Sequence, residues 1–287
     1  MLELGDITIR RIVEQEAPFF DIYEFFPGLT RETMDANRDW LQPRYIDDDE
    51  QLVLCIQSYV IETPHHTILV DTCVGNHKPR PKRAFWNQLE SDRYEAGLAA
   101  LGLAVGDIDF VMCTHLHTDH VGWNTRLQDG RWVPTFPNAR YLFSGAELDF
   151  WTKQNQADPE TCPWITDSVL PVVAAGRVDL VKSDHAFDDH VRLVRSPGHS
   201  IDHFCVLAGS LDNDALITGD LMHSPLQVKY PDISPGIDHD AEQAAKSRRQ
   251  IFERFSGRPT VICTGHFPSP SLGRIAGDPH GFRFDEL

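Results

Sequence analysis

The densest chemistry in this chain is a run of six residues, His115-Leu116-His117-Thr118-Asp119-His120, placed directly after the apolar segment Val111-Met112-Cys113-Thr114. The same juxtaposition recurs three times. His199 follows Leu193–Gly198, Asp220 follows Ala215–Gly219, and His266 follows Val261–Gly265. Imidazole nitrogen and carboxylate oxygen are donors that zinc and similar divalent ions take. Alternation in a short turn lets His115 and His117 face one ion while Asp119 and His120 turn to a second. One carboxylate can span two cations through its two oxygens, and Asp220 is the natural candidate. Five histidines and two aspartates then supply seven groups, enough for two ions roughly 3.5–4 Å apart that share a hydroxide and clamp a polar substrate. A lone His-x-His is a weak signal. Four apolar runs, each followed at once by such a donor, are a specific one. Asp71, closing Thr67–Asp71, either orients a ligand histidine or forms a turn.

Donors at strand ends need strands to carry them. Apolar and alternating runs predict strands over 7–14, 52–62, 67–71, 108–114, 139–143, 191–195, 203–208, 214–218 and 259–264. Helices are expected over 84–101, where Leu89, Ala96, Ala100 and Leu101 share a side, and over 239–255, stopped by Gly257. Residues 19–50 read as an aromatic, then acidic loop with a short helix. Strands and helices interleave throughout, which predicts an α/β layered (α+β) domain with its site at the carboxyl ends of strands. The expected organisation is one domain over 1–287, with residues 1–50 an N-terminal extension carrying the aromatic loop.

Acidic residues number 43 against 26 basic ones, a formal charge of −17. Such a field repels phosphate backbones and anionic membranes, so neither nucleic acid nor membrane is an expected partner. Apolar runs fall far short of a membrane span, and the N-terminus lacks a basic start followed by an apolar core. A cytoplasmic location is expected. The six cysteines, at 55, 73, 113, 162, 205 and 263, form no Cys-x-x-Cys pair. Apolar neighbours predict buried thiols for Cys55, Cys113, Cys205 and Cys263.

The string HLHTDH with PGH, TGD and TGH further along resembles the metallo-β-lactamase superfamily over nearly the whole chain, from the strand near 52 to His266. The resemblance implies an αββα sandwich with metals at one edge of the two sheets. It implies His115, His117 and His199 on the first ion, Asp119, His120 and His266 on the second, and Asp220 as the bridge. The commonest zinc β-lactamases carry Cys where Asp220 stands, and flavodiiron proteins carry Glu in place of His117. Glyoxalase II shares the seven ligands but needs a helical C-terminal domain, and only 21 residues (287 − 266) follow His266. What remains is similar to N-acyl-homoserine lactonases and to methyl-parathion-hydrolase-like enzymes. The implied activity is hydrolysis of a lactone or carboxylic ester by a bridging hydroxide, with two divalent ions, zinc first and manganese, cobalt or iron as alternatives. A phosphotriesterase is the runner-up, and a persulfide-dioxygenase-like protein with one iron comes behind it. Asp119 is expected to carry the nucleophile's proton to the leaving group. In similar lactonases a tyrosine three residues beyond the bridging aspartate contacts substrate; here that position is His223, the expected substrate-contacting donor.

A hydrophobic ester or lactone needs an apolar cleft. Trp123, Phe25, Phe26 and Trp86 are its candidate walls, with Phe19, Phe20, Trp40 and Trp151 in or beside loop-like regions. The same aromatics suit burial against a second subunit, so a homodimer is a candidate assembly. His65, His66, His185, His190, His239 and His280 read as surface residues, His203 as structural, and the basic run 78–83 as a solvated loop.

Overall fold

The computed structural model describes residues 1–279 and 281–287. In the first sheet β1 (Leu2–Leu4), β2 (Ile7–Asp21), β3 (Gln51–Glu62) and β4 (Thr67–Val70) pair antiparallel, and β5 (Phe110–Met112) joins β4 in parallel. A separate hairpin follows, β6 (Thr125–Gln128) and β7 (Arg131–Pro134). Then β8 (Arg140–Ser144) and β9 (Val178–Val181) complete the sheet in parallel. The second sheet holds β10 (Val191–Arg195), β11 (Phe204–Ser210), β12 (Asn213–Ile217), β13 (Val261–Cys263), β14 (Leu272–Asp278) and β15 (Gly281–Glu286), in that order.

Period-two alternation stacks the layers. Ile68 and Val70 of β4 face Phe204, Val206 and Ala208 of β11, forming the core between the sheets. Leu69 points the other way, onto α4 (Arg93–Ala100) through Tyr94 and Leu98. Cys205 and Leu207 likewise point outward, toward Ile251, Phe252 and Phe255 of the C-terminal helix Ala241–Phe255. That outer layer also takes α1 (Ile22–Phe25), α2 (Arg31–Asp35) and α3 (Arg38–Leu41). The result is the expected αββα sandwich. No helix among the described residues is long and apolar enough to cross a membrane.

Three expectations change. β2 does not stop at residue 14 but pairs with β3 as far as Asp21, through two bulges, one beside Pro18, that accommodate an irregular ladder. Residues 1–21 are therefore part of the first sheet rather than an extension. The helix expected from residue 84 begins only at Arg93, because the chain before it is tied across, His77 N–H to the Leu89 carbonyl and Gln88 N–H to the Lys78 carbonyl. The segment after His266, where no strand is expected, forms the β14–β15 hairpin. All six cysteines are buried free thiols.

Glu14 of β2 is completely buried under the first sheet. Its carboxylate accepts the Val74 N–H at 2.9 Å, the Gly75 N–H at 3.2 Å and the Trp123 Nε1–H at 2.6 Å. Burial outweighs these bonds and pushes its acid up to about 7. The folded chain thus keeps a proton that the unfolded chain releases near 4.5. Its contribution to stability is complete below that pH and falls as the pH rises toward 7. Denaturant midpoints at acid and mildly alkaline pH check this: wild type should lose on the order of 2–3 kcal/mol relative to Glu14→Gln across the interval. Parallel pH trends would show that Glu14 does not titrate there.

Candidate active site

Four strands from the two sheets end at one edge. β10 and β12 are each antiparallel to β11, and β13 is parallel to β12, so all three deliver their carboxyl ends to the same side. The turns after them carry His199, Asp220 and His266, and the turn after β5 carries His115–His120. Close backbone contact demands glycine before Asp220 and His266. Gly219 has φ 50°, and a Cβ on Gly265 would lie 2.5 Å from the Gly219 carbonyl oxygen.

The seven predicted donors converge in two groups. Donor atoms of His115, His117, His199 and Asp220 lie within 4.8 Å of one another, as do those of Asp119, His120 and His266. Asp220 addresses each group with a different oxygen. Its Oδ2 lies 3.0 Å from His199 Nε2 and 3.7 Å from His115 Nε2. Its Oδ1 lies 2.9 Å from both His120 Nε2 and His266 Nε2. Asp119 Oδ2 stands 3.8 Å and 3.7 Å from the same two nitrogens.

Four of the rings are gripped from behind, which turns Nε2 inward. His120 Nδ1–H donates to Asp71 Oδ2 at 2.9 Å, His199 Nδ1–H to Asp238 Oδ1 at 2.9 Å, and His266 Nδ1–H to the Cys55 carbonyl at 3.0 Å. The Thr114 hydroxyl donates to Asp71 at 2.9 Å, so it accepts from His115 Nδ1 at 3.1 Å. Asp71 also accepts the Thr114 N–H, with its own φ at 59°, and so both orients a histidine and shapes a turn. His203, expected to be structural, accepts the Asp220 N–H on Nε2 at 3.0 Å and donates from Nδ1 to Ser196 Oγ at 2.8 Å. Burial holds it down to about 3, so it stays neutral.

The donor set fits cations. His115 Nε2 is buried without a hydrogen-bond partner. His117 Nδ1 and His199 Nε2 approach to 2.9 Å, and His120 and His266 Nε2 to 3.3 Å. Facing nitrogen lone pairs repel unless a proton or cation lies between them. Burial, then the neighbouring imidazoles, hold His115 and His117 well below 6.5. For His199 burial works against protonation, yet Asp220 and Asp238 outweigh it and raise the ring to about 9. Burial likewise opposes the Asp220 charge, and the surrounding histidines overcome it and hold the acid well below the carboxylate range. The cluster demands positive charge, and divalent ions supply it on displacing those protons.

His223 lies against the same carboxylate, Nε2 at 3.1 Å from Asp220 Oδ2, and Asp220, His223 and His266 form a third group of converging donors. A carboxylate only accepts, so the ring's proton sits on Nε2 and the buried Nδ1 is left without a partner. A cavity of about 650 Å³ opens over His117, Asp119, Asp220, His223 and His266. Phe20, Phe25, Trp86, Trp151 and Trp164 wall it on the other sides.

A family model described as the metallo-beta-lactamase superfamily matches residues 56–266. The chain belongs to that superfamily. An N-acyl homoserine lactonase of Bacillus cereus is 22% identical over 225 residues, 75% of this chain and 82% of that one. The structure of AidC, described as a dizinc quorum-quenching lactonase in complex with the product N-hexnoyl-L-homoserine, covers 100% of this chain and 96% of its own at TM-score 0.82 and 20% identity. A hydrolase, AbOPH, described as in the beta lactamase superfamily, covers 99% of this chain and 96% of its own, at TM-score 0.82 and 22% identity. Likeness at these identities establishes the shared superfamily fold.

Two of the four candidate pocket aromatics are elsewhere. Trp123 is buried, stacked on Tyr94 at 4.9 Å with its N–H on Glu14, so it braces the core beneath the site. Phe26 is wholly buried in the helical layer behind Phe25. Phe25 and Trp86 do line the cavity. The basic run is not a solvated loop throughout: Lys78 and Arg80 are buried, drawn in by Asp167. His65, His185 and His239 are exposed, His66 and His190 are half-buried, and His280 lies outside the described residues. Sequence reading missed Asp238, Trp164 and Asp167, none of which stands in a motif. Replacing the carboxylate behind His120 tests the grip. Asp71→Asn is expected to weaken divalent-cation binding by about 10–100-fold in chelator competition; unchanged binding would reduce Asp71 to a turn residue.

Proposed function

We propose that this superfamily member is a dinuclear metal-dependent hydrolase that opens a lactone or cleaves a carboxylic ester bearing a hydrophobic substituent, with N-acyl-homoserine lactones the first candidates. The observation that carries the reading is Asp220, one oxygen on each group of histidines. The aromatic cavity over the same atoms supports a hydrophobic substrate. The lactonases similar to this chain support the lactone.

His115, His117 and His199 would hold one ion, Asp119, His120 and His266 the other, and Asp220 both. Two divalent cations there, zinc before manganese, cobalt or iron, would bring the pKa of a shared water toward neutrality and polarise a carbonyl oxygen. The chain's own groups do the rest. Asp119 reaches the cavity, and its carboxylate accepts the attacking water's proton and returns it to the leaving alkoxide. His223, with its Nε2–H on Asp220, orients the bridging carboxylate rather than donating from Nδ1 to the substrate. The aromatic wall desolvates the acyl substituent and directs it away from the polar edge.

Zinc-loaded protein mixed with a medium-chain N-acyl-homoserine lactone should release acid rapidly in a pH-indicator assay, and chelation should stop it. His117→Ala should lose both turnover and bound metal. No acid release from fully metallated protein would remove the acyl-homoserine lactone and make aryl esters and phosphotriesters the next substrates. One bound iron with oxygen consumption would replace the hydrolase by a mononuclear oxidoreductase. His223→Phe should keep two ions while kcat falls about 10–100-fold, as for other groups that orient a ligand. A wild-type kcat would show that His223 has no part in the reaction.

A further inference from the structure

We infer that Arg80 is a positioning residue: clamped by Asp167, its guanidinium holds the Thr118 hydroxyl and with it the turn that carries His117 and Asp119. The inference rests on the dinuclear reading above. Arg80 is buried in the cavity wall and its guanidinium makes four hydrogen bonds. Nε donates to Thr118 Oγ1 at 2.7 Å. The two terminal nitrogens donate to Asp167 Oδ2 at 2.7 Å and Oδ1 at 2.9 Å, and one also to the Pro79 carbonyl at 2.9 Å. A bidentate pair fixes the guanidinium plane, which lysine cannot reproduce.

The anchor is itself fixed. Asp167 sits in a turn widened to π-helical spacing, Ile165–Val169, and its backbone carbonyl accepts the Thr125 hydroxyl at 2.5 Å. Lys78 Nζ donates to that same hydroxyl oxygen at 2.6 Å and lies 3.7 Å from the Asp167 carboxylate. The neighbouring Trp164 donates its N–H to the Leu116 carbonyl at 2.7 Å. In the alternating run 115–119 the ligands point inward, and the two residues between them are held from outside: Leu116 by Trp164, Thr118 by Arg80. Without the second hold the His117–Asp119 segment keeps its backbone bond from the His120 N–H to the His117 carbonyl but loses its side-chain tether. Asp119 belongs to one donor group and His117 to the other, so slack there loosens both.

Asp167 variants would strand two buried cations, so the test uses Thr118→Val, which keeps the shape and removes the acceptor, together with Arg80→Met, Arg80→Lys and the double variant Arg80→Met/Thr118→Val. Metal content and chelator-competition affinity are read beside kcat and KM on a hydrolysed lactone or aryl ester, and Tm monitors folding. The expected result is about tenfold or greater loss of ion affinity and of kcat, with KM little changed, in Thr118→Val. Arg80→Met should match it, Arg80→Lys should not rescue it, and the double variant should add nothing, as for two residues acting through one contact. Thr118→Val with wild-type affinity and kcat overturns the inference, whether or not Arg80→Met folds. So do additive losses. A wild-type protein that takes up no metal overturns the dinuclear reading as well, which separates the two failures.

Discussion

A carboxylate removed from water must be compensated where it lies, and Asp220 is removed almost completely. The surrounding architecture answers that requirement. Histidines from three separate turns converge on its two oxygens, and their combined field keeps it ionised against the cost of burial. Its backbone N–H is taken by His203, which burial keeps neutral and therefore able to accept. The glycine before His266 lets that turn approach the Gly219 carbonyl more closely than any side chain permits. A site with this excess of converging acceptors is built for cations.

The grip on the histidines comes from all parts of the chain. Asp71 follows β4, Cys55 lies in β3, Asp238 precedes the C-terminal helix, and Thr114 follows β5. Each tie selects one ring nitrogen and leaves the other for the centre. Asp238 lies 3.6 Å from the buried Arg248, whose guanidinium also holds the Pro231 carbonyl and Ser234. The ring of His199 is thereby connected to a helix of the outer layer. Such spreading makes the geometry a property of the whole sandwich, not of one loop.

The polar and apolar parts of the cavity come from different elements. Its polar edge is made of turns at strand ends, which cannot move without breaking the sheets. Its apolar walls come from residues at the end of β2, α1, the turn around Trp86, and the 151–164 region. A shared superfamily fold leaves the substrate to be argued from the site itself.

The seven donors were legible in the sequence, because a strand end followed at once by His or Asp is a local pattern, and interleaved strands and helices gave the layered α/β class. Nine of the strands were legible for the same reason, while β1, β6, β7, β9, β14 and β15 were not, nor were the extents: β2 runs on past Pro18 because β3 offers a partner, information held some 35 residues away in Val53. Partners of individual side chains were decided only in three dimensions. Trp123 comes three residues after His120 yet turns to Glu14, 109 positions earlier, and Arg80, in a run that looks solvated, is drawn inside by Asp167, 87 positions later. His266 and Cys55 meet across 211 positions. Local periodicity reports which face of a strand is apolar; it holds no record of which distant carboxylate will neutralise a buried cation or which carbonyl will fix a ring. Those choices belong to the packing of two sheets against each other, and it is there that the site acquires its geometry.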